Sequence, residues 1–232
     1  MRAISSMATK GVLNALADAA GAAGLPRVDV ESVGGVDAAD RVAAGEAFDL
    51  VFLASGALAK LAAAGRVDPD SVTELVLSQV AVAVPDASVT AAERPTGPAF
   101  ADAAGVREAL AAAGKVGYST GPSGTALVSM VSEWGLGETV GPKLTQARPG
   151  VPVTVLLASG EADLGFQQLS EMVGQPGVRI LGVLPSDCAI DTVFSGAVAS
   201  AATDPDAAAS VLAFFASPEV RDLKVDHAFA PR

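Results

Sequence analysis

Hydroxyl side chains are concentrated in this sequence where a strand-like stretch gives way to a helix-like one. The clearest case is YSTGPSG at 118–124, with three serine or threonine hydroxyls and two glycines where a helical stretch begins. The first N–H groups of a helix are unpaired and carry about half a positive charge. Such a junction can therefore bind an anion without a basic side chain, and the hydroxyls beside it complete a neutral set of donors.

Other junctions have the same character. Ser5 and Ser6 end the first strand-like stretch, Ser55 follows the third, and Gln167 and Gln168 end a strand in the second half. Serine and threonine are also favoured helix N-caps, so one such junction alone has an ordinary structural explanation. Several junctions at the carboxyl ends of strands in two sheets instead predict a cleft that binds a small anion.

Motifs for other chemistries are absent. The stretch at 118–124 is not a phosphate-binding P-loop, because no Gly-Lys-Ser/Thr follows it. It is not a hydrolase nucleophile elbow either, since that needs Gly-x-Ser-x-Gly and a partner histidine. Cys188 and His227 are the only residues of their types, which excludes an internal disulfide and a Cys/His metal site. We expect neither a metal nor a cofactor.

Composition restricts the partners. Half of the 232 residues are hydrophobic, and the net charge is −11 with a pI near 4.4. An acidic chain is a poor ligand for nucleic acid, and with no apolar run of ~18 residues it is not expected to be membrane-embedded. The start, MRAISSMATKG, lacks a signal-peptide pattern. We expect a cytoplasmic protein if Met1 is native, and a periplasmic or extracellular one if a leader has been removed.

Strand and helix patterns alternate in two sets. Strands are predicted at 2–4, 28–33, 48–54, 75–84, 116–119, 163–167, 178–183 and 190–199, and helices at 9–22, 37–44, 57–64, 106–113, 123–134, 151–159, 205–216 and 218–224. This order predicts an α/β fold with two lobes, each a mostly parallel sheet flanked by helices. Lobe 1 comprises 1–80 and 190–232, and lobe 2 comprises 81–189. The long strands near Val80 and Val193 are the expected hinge, with the ligand cleft between the lobes.

Three segments carry a family resemblance: GEADLGFQQLSEM at 160–172, VLPSDCAIDTVFSGAVA at 183–199 and DPDAAASVLAFFASPEV at 204–220. They resemble the type II periplasmic-binding-protein superfamily, in the molybdate-binding-protein-like branch that also includes aconitate isomerase-like proteins. The resemblance extends from Ile4 to about Glu219. It implies a two-lobed protein that closes on a small anionic ligand.

The resemblance also implies where the ligand binds. The predicted ligand-binding residues are Ser5, Ser6, Ser55, Ser119, Thr120, Ser123, Gly124, Val153, Gln167 and Gln168. The last contact in molybdate binders is a tyrosine, and Gln168 stands at the matching position. An amide both donates and accepts hydrogen bonds, which suits a carboxylate with further polar groups. We therefore prefer an organic acid over molybdate as the ligand.

Two functions are open for such a cleft. The first is a solute-binding protein that delivers its anion to the permease of an ABC-type importer. The second is an isomerase that moves a proton across an unsaturated polycarboxylate, as in aconitate isomerase-like proteins. That reaction needs a base, for which Glu171, Tyr118 and Lys10 are candidates by position.

Overall fold

The computed structural model describes residues 1–232, and the chain folds into two compact units. Unit 1 comprises Met1–Leu77 and Thr192–Arg232, and unit 2 comprises Ser78–Asp191. The chain leaves unit 1 within one long strand and re-enters it within another. The predicted lobe boundaries and the hinge role of these strands stay predictions. None of the helices combines the length and the apolar character that crossing a membrane requires.

Unit 1 begins with three strand–helix pairs. In chain order they are β1 (Arg2–Ser6), α1 (Lys10–Ala22), β2 (Asp29–Val33), α2 (Gly35–Ala43), β3 (Leu50–Ala54) and α3 (Ser55–Ala63), followed by the long strand β4 (Thr73–Pro85). A 3-10 turn at Met7–Thr9 joins β1 to α1. Because β1 runs parallel to both β2 and β3, the carboxyl ends of these three strands lie at the same edge of the sheet.

Unit 2 contains the middle of the chain. Its elements are α4 (Ala103–Ala112), β5 (Val116–Tyr118), α5 (Pro122–Glu133), α6 (Gly137–Val140), β6 (Leu144–Gln146), α7 (Val153–Ala158), β7 (Leu164–Gln168), α8 (Leu169–Met172) and β8 (Val178–Val183). Strand β5 lies between β6 and β7 and is parallel to both. Strands β7 and β8 pair antiparallel with β4. The carboxyl ends of β5, β6 and β7 therefore share one edge.

The chain returns to unit 1 through β9 (Asp191–Val198), and ends with α9 (Pro205–Ala216), α10 (Arg221–Asp226) and β10 (Ala230–Pro231). Strand β9 runs antiparallel to β3, so that Ser195 lies opposite Leu53. The predicted α/β class is confirmed. Each unit has three parallel strands, and the antiparallel strands come from the long segments through which the chain leaves and returns.

The core of unit 1 follows from the two-residue period of β3. Leu50 and Phe52 face one side of the sheet, where they pack against α1 and α9, and Phe52 stacks on Phe215 with the ring centroids 5.7 Å apart. Val51 and Leu53 face the other side and pack against α2 and α3. Because both faces are covered, the strand is apolar along its length, as expected for a strand inside a sheet with helices on both faces.

In unit 2, side chains of β7 also alternate between the two faces of the sheet. Leu164 and Phe166 face a core formed with α4 and α5. Gly165 faces α7, where an added Cβ would lie 2.8 Å from side-chain atoms of both Val153 and Leu157. The two glutamines that follow in the strand must therefore point to opposite faces of the sheet.

Candidate functional site

At the edge of unit 1, two adjacent serines end β1. Ser5 is buried, and its Oγ lies 2.7 Å from the Oγ of Ser32 on β2. Ser6 points to the opposite face, with its Oγ 3.5 Å from the Oγ1 of Thr9 in the 3-10 turn. The Cβ of Ser6 also lies against Gly35, the first residue of α2. Ser6 is therefore next to the start of α2, whereas Ser5 contacts the neighbouring strand β2.

Ser55 is the first residue of α3, at the end of the neighbouring strand. Its Oγ lies 2.7 Å from the Oγ of Ser195 and 3.0 Å from the carbonyl oxygen of Val193, to which it can donate. Ser195 is 1% exposed. Neither Ser32 nor Ser195 was predicted, because each comes beside its partner only through the register of the paired strands.

Three helices that begin beside the predicted hydroxyls have no side-chain cap, as is also true of α1, α6, α7, α8 and α10. The N-cap residues of α2, α3 and α5 are Gly34, Ala54 and Gly121, and none of them supplies a side-chain hydrogen bond. By contrast, Asp102 caps α4 by accepting from the N–H of Gly105, and Asp204 caps α9 in the same way. Helix capping therefore does not explain the hydroxyls of Ser55 and Ser123, and the first-turn N–H groups of these helices have no side-chain acceptor from their caps.

The 118–124 loop of unit 2 folds tightly against the first turn of α5. The Oγ atoms of Ser119 and Ser123 lie 2.9 Å apart. Ser123 is buried, whereas Thr120 is exposed. An added Cβ on Gly124 would lie 1.8 Å from the carbonyl oxygen of Ser119. Only glycine therefore permits this approach of the loop to the helix.

The two glutamines of β7 are each 2% exposed and make different contacts. The Oε1 of Gln168 accepts a hydrogen bond from the Oγ of Ser78 at 2.7 Å. The Oε1 of Gln167 accepts one from the backbone N–H of Val153 at 2.7 Å, at the start of α7. The structure therefore brings Gln167 and Val153 into direct contact. Their binding of a ligand, like that of the other predicted residues, stays a prediction.

Glu171 lies in the first turn of α8 and is half-buried. Burial raises the pKa of its carboxyl group, and a hydrogen bond with the Gln167 side chain opposes that shift. Arginine partners hold the pKa of Glu31 below its usual value and that of Glu46 at about 2. Glu171 is in none of the ion pairs of the structure. Its ionised form is therefore not stabilised by a neighbouring cation.

The raised pKa of Glu171 has a consequence for stability. The folded protein holds the proton above the usual pKa of 4.5, so ionisation of Glu171 destabilises the fold as pH rises through the folded pKa. We expect Glu171→Gln to raise the free energy of unfolding by on the order of 1 kcal/mol at pH 7.5, and not below pH 4. Urea denaturation at both pH values tests this, with the exposed Glu138→Gln as the control. An equal effect of Glu171→Gln at both pH values would contradict it.

The predicted residues thus form a group within each unit. Ser5, Ser6 and Ser55 lie at one sheet edge of unit 1, and Ser119, Ser123, Gly124, Val153, Gln167 and Gln168 lie at the carboxyl ends of strands and starts of helices in unit 2. Of the other candidates for a base, Lys10 is exposed at the start of α1, and Tyr118 packs against the core of unit 2. The partners that the sequence did not indicate are Ser32, Ser78 and Ser195.

Comparison with known proteins agrees with this fold. Residues 1–230 match the family described as bacterial extracellular solute-binding protein. The aconitate isomerase of a Pseudomonas species is 33% identical over 195 residues, which cover 83% of this chain and 71% of that protein.

Solved structures show the same architecture. The periplasmic molybdate-binding protein of Azotobacter vinelandii superposes with a TM-score of 0.76 at 18% identity, over 99% of this chain and 98% of that one. The sulfate-binding protein SubI of Mycobacterium tuberculosis H37Rv gives 0.74 at 19% identity, over 100% and 86%. At these identities the likeness concerns the fold alone. The resemblance drawn from the sequence is confirmed, and the chain belongs to the bacterial extracellular solute-binding protein family.

Proposed function

We propose that this protein binds a small organic anion that carries carboxylate groups, as the solute-binding component of an ABC-type importer. The observation that carries this proposal is that serine side chains lie at the starts of α2, α3 and α5: Ser6 beside Gly35, Ser55 as the first residue of α3, and Ser123 in the first turn of α5. No N-cap side chain takes up the first N–H groups of these helices. Local dipoles of this kind attract an anion even though the whole chain has a net charge of −11.

The chemical class of the ligand follows from the buried amides. Gln168 stands where molybdate binders resembling this chain have a tyrosine, and it is held by Ser78. A buried amide that both donates and accepts suits a carboxylate with hydroxyl or further carboxyl groups better than a simple oxyanion. The identity to an aconitate isomerase supports the same class. As an exported receptor the protein would act in the periplasm or outside the cell, with an importer permease as its partner.

A ligand screen on the intact protein tests this function. We expect a di- or tricarboxylate at 100 times its Kd to stabilise the fold by about 2.7 kcal/mol, which raises the Tm by roughly 5–10 °C.

Replacing Ser55 and Ser123 together by alanine should weaken binding of that ligand by roughly 100-fold or more, because two hydrogen bonds to a charged ligand are lost. Thermal shift and calorimetric titration measure both effects.

The control removes one exposed serine from each unit, as Ser132→Ala with Ser210→Ala, and should bind like the wild type. Unchanged affinity after the loss of Ser55 and Ser123 would remove these residues from the site. A larger rise in Tm with molybdate than with every carboxylate would refute the carboxylate class.

A second function has a specific observation in its favour. The aconitate isomerase relative is 33% identical to 83% of this chain, and a half-buried carboxyl group lies in unit 2 beside Gln167. The same binding groups would then hold an unsaturated polycarboxylate while a proton moves between two of its carbons. NMR spectra of each stabilising ligand, followed over time, distinguish the functions: a receptor leaves the ligand unchanged, and an isomerase converts it.

A further inference from the structure

We propose that Glu171 is the catalytic base of a proton-transfer reaction in this protein and that Gln167 is its positioning residue. The inference rests on the isomerase function proposed above. It names the residue that removes the proton, which the family resemblance does not identify. The geometry around Gln167 carries it.

A hydrogen bond to its oxygen fixes the orientation of the Gln167 side-chain amide. Its Oε1 accepts the backbone N–H of Val153 at 2.7 Å, so its nitrogen must point elsewhere. The side chain of Gln167 also hydrogen-bonds with Glu171. Since an amide offers one oxygen acceptor and one nitrogen donor, the NH₂ group is the part that donates to the carboxylate. A buried backbone donor therefore determines where the Glu171 carboxylate is held.

The partner of Glu171 differs from those of the ion-paired acids. Glu31 and Glu46 share Arg41, and Asp86 is paired with Arg179. Glu171 has a neutral amide as its partner instead. A carboxyl group kept partly out of water without a cation costs stability, and such groups concentrate at sites of proton transfer.

The reaction that fits is a shift of a double bond in an unsaturated polycarboxylate. The Glu171 carboxylate takes a proton from a CH₂ group next to the double bond, and the electron pair of the broken C–H bond spreads through the double bond into a ligand carboxylate. The Glu171 carboxyl then returns the proton to the far carbon, which moves the double bond. Atoms and charge balance, and no oxidant, reductant or second substrate is consumed.

The test follows trans- or cis-aconitate by NMR in D₂O with the intact protein, using Glu171→Gln and the surface control Glu138→Gln. We expect the wild type and the control to convert the acid and to exchange its CH₂ protons for deuterium. Glu171→Gln should bind the acid but convert it roughly 10²–10⁴ times more slowly. The wild-type rate should fall as pH falls through the pKa of Glu171, because the protonated carboxyl cannot accept a proton.

Glu171→Asp keeps the base but shortens its reach, and it should retain part of the exchange. Unimpaired conversion by folded Glu171→Gln would overturn the assignment. If the wild type binds the acid without exchange or conversion, the assignment also fails, but anion binding stands. If no carboxylate raises the Tm of the wild type, the proposed function itself fails, and the assignment with it.

Discussion

Replacing Gly124 by alanine is expected to weaken binding of the organic anion by at least 100-fold, roughly. The added Cβ would lie 1.8 Å from the carbonyl oxygen of Ser119 and 2.8 Å from its carbonyl carbon. Both are backbone atoms, so the loop must move away from the first turn of α5. That movement separates Ser119 from Ser123, whose Oγ atoms are 2.9 Å apart, and misaligns donors for which a shift of about 1 Å can cost 100-fold.

Gly121 offers a matched control in the same loop. An added Cβ there would meet only the Oγ of Ser119, at 4.0 Å, and its φ of −81° is open to alanine. Calorimetric titration of both variants with the best carboxylate of the screen, alongside their circular dichroism spectra, measures the effect. Wild-type affinity in a folded Gly124→Ala protein would show that the 118–124 loop is not part of the ligand site.

The second large effect concerns the stability of unit 2. We expect Gly182→Ala to lower the free energy of unfolding by about 3 kcal/mol, which corresponds to a fall in Tm of roughly 6–12 °C. The new Cβ would lie 2.2 Å from the nitrogen of Ala99 and 2.4 Å from the carbonyl carbon of Pro98. This backbone is bound to β8, because the N–H of Ala99 donates to the carbonyl of Val183 at 2.8 Å. Movement of this backbone away from the new Cβ therefore breaks the hydrogen bond between Ala99 and Val183.

Gly137→Ala is the control for this variant, since an added Cβ there meets nothing within 4 Å and the residue also lies in unit 2. Urea denaturation and thermal unfolding of the two variants should differ clearly. If Gly182→Ala had the urea midpoint and the Tm of the wild type, residues 97–99 would not pack closely on β8.

The long, strongly patterned elements of the fold could be predicted from the sequence. The strand at 178–183 and the helix at 205–216 match the observed Val178–Val183 and Pro205–Ala216. An apolar stretch interrupted only by Arg179 and Gly182 identifies the first, and a proline in the first helical turn after an Asp N-cap identifies the second. Strand β6 and helix α8 have three and four residues and were not predicted. Elements this short cover little more than one period of their pattern, so pairing and packing decide them.

The residues of the candidate site also differ in whether the local sequence indicates them. Ser5, Ser6 and Ser55 are visible in the sequence because each ends a strand or starts a helix. Ser195 could not be found in this way, since it meets Ser55 across 140 positions of chain through the register of β9 and β3. Ser78 likewise meets Gln168 across 90 positions. Contacts of this range depend on which strands pair, and that information is not local.

The hydroxyl pairs of the two units also bear on how such a protein can acquire new ligands. In Ser5–Ser32, Ser55–Ser195 and Ser119–Ser123, the distance between the two oxygens alone would let either be the donor. Ser55 also donates to the carbonyl oxygen of Val193, and Ser5 to that of Ser6, which leaves Ser195 and Ser32 as the donors within their pairs. In Ser119–Ser123, rotation about one bond exchanges the two roles at little cost, so this pair can offer a hydrogen or a lone pair to a neighbouring group. The scaffold need not be rebuilt when the solute changes. If the glutamines of β7 contact the ligand as proposed, substitutions at these two positions should change which anion is preferred.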